Sequence, residues 1–284
     1  MRLDRYHGLG NDYLVLVEGP ALHPSLVRAL CDRHTGPGGD GVLEPTGRHA
    51  AAHGLRIWNP DGSVAEKSGN GLRIFARWLV DEGLAEGTFD LWTGSCPARA
   101  TVGAEDVEVD MGVATTVPEA VPVRPPARVD GPIHGSTVWT ATVVGLGNPH
   151  CVVFVPDDDL DAVPWRAWGA ELERHPDFPN RTNVQVAAVR GRSAVEVRIW
   201  ERGAGPTLAS GSSACAVAAA GVLTGRLAAG SIEVRMPGGS ALVHVGPDLR
   251  LTLRAPVERI GRIVIDPGWL TARRRGKGLA SEAS

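Results

Sequence analysis

The chain has 284 residues, enough for two domains of about 100 to 150 residues that each bury a hydrophobic core. Its 43% hydrophobic and 21% charged content is typical of a soluble globular protein, and a net charge of −3 argues against a surface for nucleic acid or an anionic membrane. No apolar run approaches the roughly 20 residues of a membrane span, and the N-terminus lacks the apolar segment of a secretory signal, so we expect a cytoplasmic protein.

The cysteines and histidines do not predict a metal site. The four cysteines, at positions 31, 96, 151 and 215, lie more than 50 residues apart and form no CxxC pair. A disulfide framework or a zinc site would cluster them, and the histidines show no HExxH or HxH spacing. We therefore expect no metal and no disulfide framework.

The predicted elements are mostly short strands. Eight β-branched or alternating runs, bounded by Gly, Pro or Asp, predict strands at 13–19, 107–113, 140–147, 151–155, 194–200, 231–236, 241–245 and 249–255. Two stretches predict helices, at 72–84 and 214–225. The second is apolar or small at nearly every position, which indicates a helix buried on all sides.

The sequence contains an internal duplication. RIWNPDGSVAEKSGNG (56–71) and RIWERGAGPTLASGSS (198–213) align without a gap, each with Ser-Gly twelve residues after its first Arg. GLGND (8–12) and GLGNP (145–149) form a second pair in the same order. Two ordered pairs at nearly equal offsets predict two related halves.

The duplication and the predicted elements together give a domain plan. The proline-rich segment 113–135 predicts the crossover between domains. We expect an N-terminal half over 1–118, completed by a strand within 262–272, a C-terminal half over 119–261, and a disordered basic tail over 273–284. The predicted fold class is α+β, with two pseudo-symmetric domains that each fold a curved sheet around a central buried helix.

In each half, a polar glycine-rich turn brings a Ser-Gly to the start of a hydrophobic helix. The unpaired N–H groups and the positive dipole end make such a start an anion site. Two starts facing one cleft would hold a carboxylate, and their side chains could remove a proton from one face of the adjoining carbon and return it to the other. The alternative is two ordinary serine N-caps, and the matched pair favours the carboxylate site.

Longer motifs carry a family resemblance over nearly the whole chain. Matching segments occur in order: HGLGNDY from residue 7, CDRHTGPGGDG (31–41), NPDGSVAEKSGNG (59–71), GNPHCVVFV (147–155), FPNRTNV (178–184), ERGAGPTLASGSSACA (201–216) and PGWL near 270. The chain resembles the diaminopimelate epimerases and the wider group of cofactor-independent amino-acid racemases. The resemblance implies two pseudo-symmetric domains with the active site at their interface, and no pyridoxal phosphate or metal. It also implies conversion of LL-diaminopimelate to meso-diaminopimelate, a precursor of lysine and peptidoglycan. The expected partner is a small amino acid, with no nucleic acid or membrane, and a homodimer is left open.

The resemblance also implies site residues. The group expected to hold the far amino-acid end of the substrate is Asn59, Asn148, Asn183 and Arg202. Glu201 is expected to pair with the ammonium at the reacting carbon, and the lining residues are Asn11 and Asn70. His150 is a further candidate for substrate binding. The backbone N–H groups expected to hold the reacting carboxylate belong to Gly69, Asn70, Gly211 and Ser212. Each has a simpler alternative, since Asn and Gly are common turn formers.

The chain departs from the family at both acid/base positions. The family has two cysteines there, and this sequence has Ser68 and Ser210. A thiol with an ordinary pKa near 8.5 can be tuned to a thiolate. An alkoxide is several units harder to form, at about 1.36 kcal/mol a unit, whereas a helix end contributes about 1 to 2 kcal/mol. Two-thiol epimerisation is therefore not expected at family speed.

Several explanations of the serines stay open. They mark either a natural branch or cysteines replaced to trap a complex, and Lys67 and the GSSA after Ser210 favour a natural branch. In such a branch Lys67 could activate Ser68. Alternatively, Glu201 or His150 could act on another substrate as in a proton-shifting isomerase, or the chain could bind an amino acid without catalysis. A serine hydrolase is disfavoured because neither serine lies in GxSxG, and GLGND lacks the third glycine of a dinucleotide fingerprint.

Overall fold

The computed structural model divides the chain into two compact units. It describes residues 1–65, 67–94, 97–117, 121, 123–124, 129–156 and 160–275. The first unit contains residues 1–8, 12–107 and 257–284, and the second contains 9–11 and 108–256. None of the helices in these described ranges is long and apolar enough to cross a membrane.

The described residues of the first unit form strands and three helices. Its strands are β1 (Arg2–Gly8), β2 (Asn11–Glu18), β3 (Val42–His49), β4 (Ala52–Trp58), β5 (Val64–Ala65), β6 (Thr88–Trp92), β7 (Pro97–Val102) and β18 (Glu258–Val264). Its helices are α1 (Pro24–Cys31), α2 (Gly69–Asp81) and α5 (Pro267–Arg275). β18 pairs antiparallel with β1, β1 pairs with β2, and β2 runs parallel to β3. β3 and β4 pair antiparallel, β4 runs parallel to β6, and β6 pairs antiparallel with β7.

The part of the second unit that the structure describes has more strands than the first unit, and two helices. Its strands are β8 (Asp106–Val113), β9 (Gly131–His134), β10 (Val138–Gly145), β11 (Pro149–Phe154), β12 (Asn183–Val189), β13 (Ala194–Glu201), β14 (Gly205–Thr207), β15 (Gly230–Met236), β16 (Gly239–Val245) and β17 (Arg250–Pro256). Its helices are α3 (Trp165–Glu173) and α4 (Gly211–Leu223). β10 and β11 pair antiparallel, β11 runs parallel to β12, β12 and β13 pair antiparallel, and β13 runs parallel to β15.

The same order of pairings in both units confirms the duplication. The series β1, β2, β3, β4, β6 and β7 in the first unit corresponds to β10, β11, β12, β13, β15 and β16 in the second. In each unit a short strand, β5 or β14, is followed by the long helix, α2 or α4. The predicted α+β fold of two similar, strand-rich domains is confirmed.

The two long helices are the buried centres that the sequence predicts. In α4, ten of the thirteen residues are buried, because Ala and Gly let the sheet approach on every side. In α2 the buried face is built from larger side chains, among them Leu72, Phe75 and Trp78. Each helix therefore forms the core of its own unit.

The boundaries of the units differ from the predicted ones because strand pairing, and not local composition, sets them. The first unit ends at Val107 and not at 118, since β8 pairs with β17 of the second unit. The described parts of 113–135 accordingly belong to the second unit, where Ala114 N–H donates to the Leu249 carbonyl. The strand expected within 262–272 lies earlier, as β18 (Glu258–Val264), and most of the predicted range is instead helix α5 (Pro267–Arg275).

The C-terminal segment also differs from the expected tail. Residues 273–275 form the last turn of α5, whose Trp269 Nε1 donates to the Thr35 carbonyl at 3.0 Å. The guanidinium of Arg273 stacks over the Trp269 ring at 3.7 Å from its centroid. The rest of the predicted tail, 276–284, lies outside the described residues.

Candidate active site

In the first unit, Ser68 caps the start of α2. Its backbone is extended, with φ −142° and ψ 119°, and its carbonyl accepts the Leu72 N–H at 2.9 Å. Its Oγ accepts the Gly71 N–H at 3.0 Å, as an N-cap serine does. The hydroxyl of Tyr13 lies 3.1 Å from the same Oγ. Ser68 Oγ is therefore held between a helix N–H and a phenol.

In the second unit, Ser210 caps α4 with nearly the same backbone. Its φ is −142° and its ψ is 121°, and its carbonyl accepts the Ala214 N–H at 2.9 Å. Its side chain, however, makes no cap hydrogen bond. The residue is buried, with 7% of its surface exposed. The two serines thus share a backbone geometry and differ in the contacts of their hydroxyls.

The first turns of both helices contain the residues expected to bind the carboxylate. Gly69 and Asn70 open α2, and Gly211 and Ser212 open α4. Backbone N–H groups at these positions point out of the helix end, which is the geometry of an anion site.

A buried arginine orients Asn70. Arg73 is 1% exposed, and its Nη2 donates to Asn70 Oδ1 at 2.6 Å. A Cβ added to Gly8 would lie 3.1 Å from the same Nη2, so the glycine leaves room for the guanidinium. The guanidinium therefore fixes the Asn70 side chain within the first turn of α2.

Asn59 belongs to the tight turn after β4. Its N–H donates to the Ser63 carbonyl at 2.8 Å, and its Nδ2 donates to Ser63 Oγ at 2.9 Å. Gly62 closes the turn with φ +85°, and a Cβ on it would lie 2.6 Å from the Pro24 carbonyl oxygen. The turn therefore fixes the orientation of the Asn59 side-chain amide.

His150 lies at the centre of a buried polar chain in the second unit. Its Nε2 is 3.0 Å from Asn148 Oδ1, and its Nδ1 is 3.1 Å from Gln185 Nε2. Gln185 Nε2 also donates to Ser213 Oγ at 2.9 Å, in the first turn of α4. Burial, with a smaller contribution from the Arg202 charge, lowers the pKa of His150 to about 3. The imidazole is therefore neutral near pH 7, donating from Nε2 and accepting at Nδ1.

Asn183 joins the two loops that carry the other expected binding residues. Its Nδ2 donates to the Pro149 carbonyl at 3.1 Å, and its Oδ1 accepts the Arg202 N–H at 3.0 Å. The amide therefore positions the loop of Glu201 and Arg202, the first half-buried and the second exposed. The remaining expected residue, Asn11, is half-buried and belongs with Leu9 and Gly10 to the second unit.

A buried carboxylate supports that loop from behind. Glu173 accepts the Trp200 Nε1–H at 2.9 Å and the Gly203 N–H at 2.8 Å. Burial alone would raise the pKa of the Glu173 carboxyl, but these hydrogen bonds and the nearby arginines outweigh it and hold the pKa below its usual value. The carboxylate is thus ionised at neutral pH and fixes the turn after Arg202.

The site residues therefore form two sets, one in each unit. The first unit contains Asn59, Ser68, Gly69 and Asn70. The second unit contains Asn11, Asn148, His150, Asn183, Glu201, Arg202, Ser210, Gly211 and Ser212. Each set includes the N-cap serine and the first turn of a long helix.

Sequence reasoning missed Tyr13, Gln185 and Glu173. A signal for Tyr13 was present, since GLGND followed by Tyr13 repeats as GLGNP followed by His150. Lys67 was the sequence candidate for a neighbour of the Ser68 hydroxyl, whereas the hydrogen bonds found at that Oγ join it to Gly71 and Tyr13.

The described cysteines, at positions 31, 151 and 215, are buried and form no disulfide with one another. Burial raises the pKa of the Cys31 thiol to about 12, with smaller contributions from nearby carboxylates, so it does not form a thiolate at neutral pH. Cys96 lies outside the described residues. Within the described part of the chain, no group of three His, Cys, Asp or Glu side chains could hold a metal ion.

Comparison with known proteins gives one consistent family. The family model for diaminopimelate epimerase matches residues 5–117 and 142–253. Diaminopimelate epimerase 2 of Nostoc sp. is 40% identical over 273 residues, covering 92% of this chain and 94% of that protein. Diaminopimelate epimerase of Synechocystis sp. is 40% identical over 275 residues, covering 92% and 97%.

Solved structures share the fold at lower sequence similarity. A probable proline racemase from Agrobacterium radiobacter superposes with a TM-score of 0.68 at 16% identity, covering 94% of this chain and 93% of that one. The family match spans both repeats, and the relatives span nearly the whole chain. This chain therefore belongs to the diaminopimelate epimerase family.

Proposed function

We propose that the protein catalyses cofactor-independent epimerisation at the α-carbon of an amino acid, with LL-diaminopimelate as substrate and meso-diaminopimelate as product. Ser68 and Ser210 fill the two acid/base roles. The reaction takes place in the cytoplasm, which is consistent with three described cysteines that form no disulfide with one another, since reducing compartments disfavour disulfides. Whether the active form is a homodimer stays a prediction.

The matched helix starts are the observation that carries this proposal. Ser68 and Ser210 have the same φ, and ψ values of 119° and 121°, at equivalent places in the repeat. An epimerase needs two such groups, because one must remove the α-proton and another must return a proton. An isolated N-cap would not require a partner with the same geometry.

The other site residues suit a substrate with ammonium and carboxylate groups. The exposed Arg202 guanidinium can bind a carboxylate through paired N–H donors. Glu201, half-buried at the end of β13, supplies the negative charge that an ammonium needs. The amides of Asn59 and Asn148 can donate or accept at the remaining polar atoms of the substrate.

The serines set the expected speed. The pKa of an aliphatic hydroxyl lies several units above the value of about 8.5 for a cysteine thiol, so ionising it costs several kcal/mol more, at about 1.36 kcal/mol a unit. The helix N-terminus stabilises the anion and offsets about 1 to 2 kcal/mol of that difference. Turnover with Ser68 and Ser210 is therefore slow compared with that of a two-cysteine site.

The direct test places cysteines at both serine positions. Ser68→Cys/Ser210→Cys is expected to raise the rate of meso-diaminopimelate formation at least about 100-fold, the usual scale of one acid/base contribution. The product is measured by chromatography that separates the LL and meso forms. Each single Cys variant is the matched control, and its rate of meso-diaminopimelate formation should rise less, because one proton transfer still depends on a serine.

A second candidate is a family member that binds an amino acid without turning it over, and the serines at both helix starts favour it. That candidate predicts diaminopimelate binding by calorimetry with no product from the native chain. If the double Cys variant folds, binds diaminopimelate and stays inert, the epimerase proposal is wrong. A chain that neither binds nor converts diaminopimelate would instead act on a different substrate.

A further inference from the structure

The contacts of Ser68 Oγ give this hydroxyl an unusual surrounding for an N-cap. The Gly71 N–H donates to it at 3.0 Å, and the Tyr13 phenol lies 3.1 Å away. When Tyr13 donates, the oxygen accepts two hydrogen bonds and its own proton points to a third direction. Two donors on one oxygen stabilise negative charge that develops there as the proton leaves.

The Tyr13 ring is fixed in place, so this contact is built into the fold. The residue is 7% exposed, and its ring lies against Gly41, where an added Cβ would be 2.5 Å from Tyr13 Cε1. The backbone on both sides of Tyr13 is tied to the same loop. Leu14 N–H donates to the Gly41 carbonyl at 3.1 Å, and Asp40 N–H donates to the Asp12 carbonyl at 2.7 Å.

We propose that Tyr13 is a positioning residue that relays the proton exchanged at Ser68. The inference rests on the proposed epimerase function and adds a residue to it. A phenol has an ordinary pKa near 10, about 6 units below that of a simple hydroxyl such as water. Moving the negative charge from Ser68 to Tyr13 therefore lowers the free-energy cost of ionisation that a serine introduces.

The relay can transfer protons in both directions. When Ser68 acts as acid, its O–H bond breaks and the electron pair of the α-carbanion forms the new C–H bond. The Tyr13 proton moves to Ser68 Oγ, and the phenolate that remains takes a proton from solvent. When Ser68 acts as base, Tyr13 first loses its proton to solvent. Ser68 then takes the α-proton while its own proton moves to the Tyr13 phenolate, and the electron pair stays on the substrate carbanion.

The second serine lacks this arrangement. Its equivalent of Tyr13 in the repeat is His150, whose ring nitrogens are engaged by Asn148 and Gln185. Ser210 also makes no side-chain cap hydrogen bond. The relay is therefore a property of the Ser68 position.

The test compares Tyr13→Phe in two backgrounds, with exchange of the α-proton of LL-diaminopimelate in D₂O followed by NMR. In the native background we expect kcat for exchange to fall about 100-fold or more, with KM changed less than about threefold. In a Ser68→Cys background the fall in kcat caused by Tyr13→Phe should be about tenfold smaller, because a thiol with a pKa near 8.5 needs no relay. A merely structural role for Tyr13 would reduce the rate equally in both backgrounds.

Tyr6→Phe is the matched control, since Tyr6 is the other tyrosine of the chain and its buried hydroxyl donates to Asp81 Oδ2 at 2.8 Å. It should leave exchange unchanged, and thermal unfolding should show that each variant is folded. The inference is overturned if Tyr13→Phe lowers kcat for exchange by the same factor in both backgrounds, or does not lower it at all. It is also overturned if the Ser68→Cys chain exchanges while the native chain does not. If the Ser68→Cys/Ser210→Cys chain is itself inert, the proposed function has failed, and the inference fails with it.

Discussion

Tyr13 and His150 hold equivalent positions in the repeat, and their surroundings give them different chemistry. The Tyr13 hydroxyl meets Ser68, whereas His150 is fully buried between Asn148 and Gln185. Neither contact could be predicted from the sequence, because they join residues 55 and 35 positions apart. The local motifs predicted where the loops are, but the partners of their side chains depend on how distant strands pair.

The burial of His150 predicts a pH dependence of stability. Its folded pKa of about 3 lies below the ordinary value near 6.5, so the unfolded chain binds the proton first as pH falls. The stabilisation is complete above about pH 6.5 and is lost toward pH 3, at up to about 1.4 kcal/mol per pH unit. We expect the free energy of unfolding in urea to fall by about 2 kcal/mol between pH 6.5 and pH 5.

The variant His150→Gln should be less stable at pH 7, because a buried hydrogen-bonded ring is lost, but should lose little further stability between pH 6.5 and pH 5. His34→Gln, at an exposed histidine, is the matched control and should show the same decline as the native chain. A His150→Gln chain that declines as steeply as the native one would contradict the assignment.

At the scale of elements, α2 and α4 begin alike and differ in composition. Both start after an extended serine, but α2 buries large side chains and α4 buries mostly alanine. The repeat and the periodicity were enough to predict both helices. Strands β3 and β4 were harder to predict, since Pro45, Gly47 and Gly54 interrupt their alternation and β3 carries a bulge between Pro45 and Gly47. The strands of the second unit alternate more regularly and were found more completely.

The cap contacts predict unequal effects of the two serines on stability. Ser68→Ala removes the hydrogen bond from Gly71 and should lower the free energy of unfolding by about 1 kcal/mol. Ser210→Ala removes no cap hydrogen bond and should cost less than about 0.5 kcal/mol. Urea unfolding of the two variants measures the difference, and equal losses would contradict the distinction between the hydroxyls.

At the scale of the whole molecule, the duplication explains what the sequence could and could not predict. Two ordered motif pairs predicted two related units, and the pairing order of the strands repeats in both. The boundaries were misplaced because β8 and β18 pair with strands far along the chain, as in the register of Arg2 with Val264. Composition marks a proline-rich segment, but long-range hydrogen bonds decide to which unit it belongs.

We propose that this chain still breaks the α-C–H bond with serines at both acid/base positions. The most direct measurement incubates the native protein with LL-diaminopimelate in D₂O and follows the α-proton signal by NMR. We predict that the signal is lost faster than in buffer alone and more slowly than with the Ser68→Cys/Ser210→Cys variant. A signal that persists, while calorimetry shows that diaminopimelate binds, would contradict the claim and leave a recognition pocket without a working acid and base.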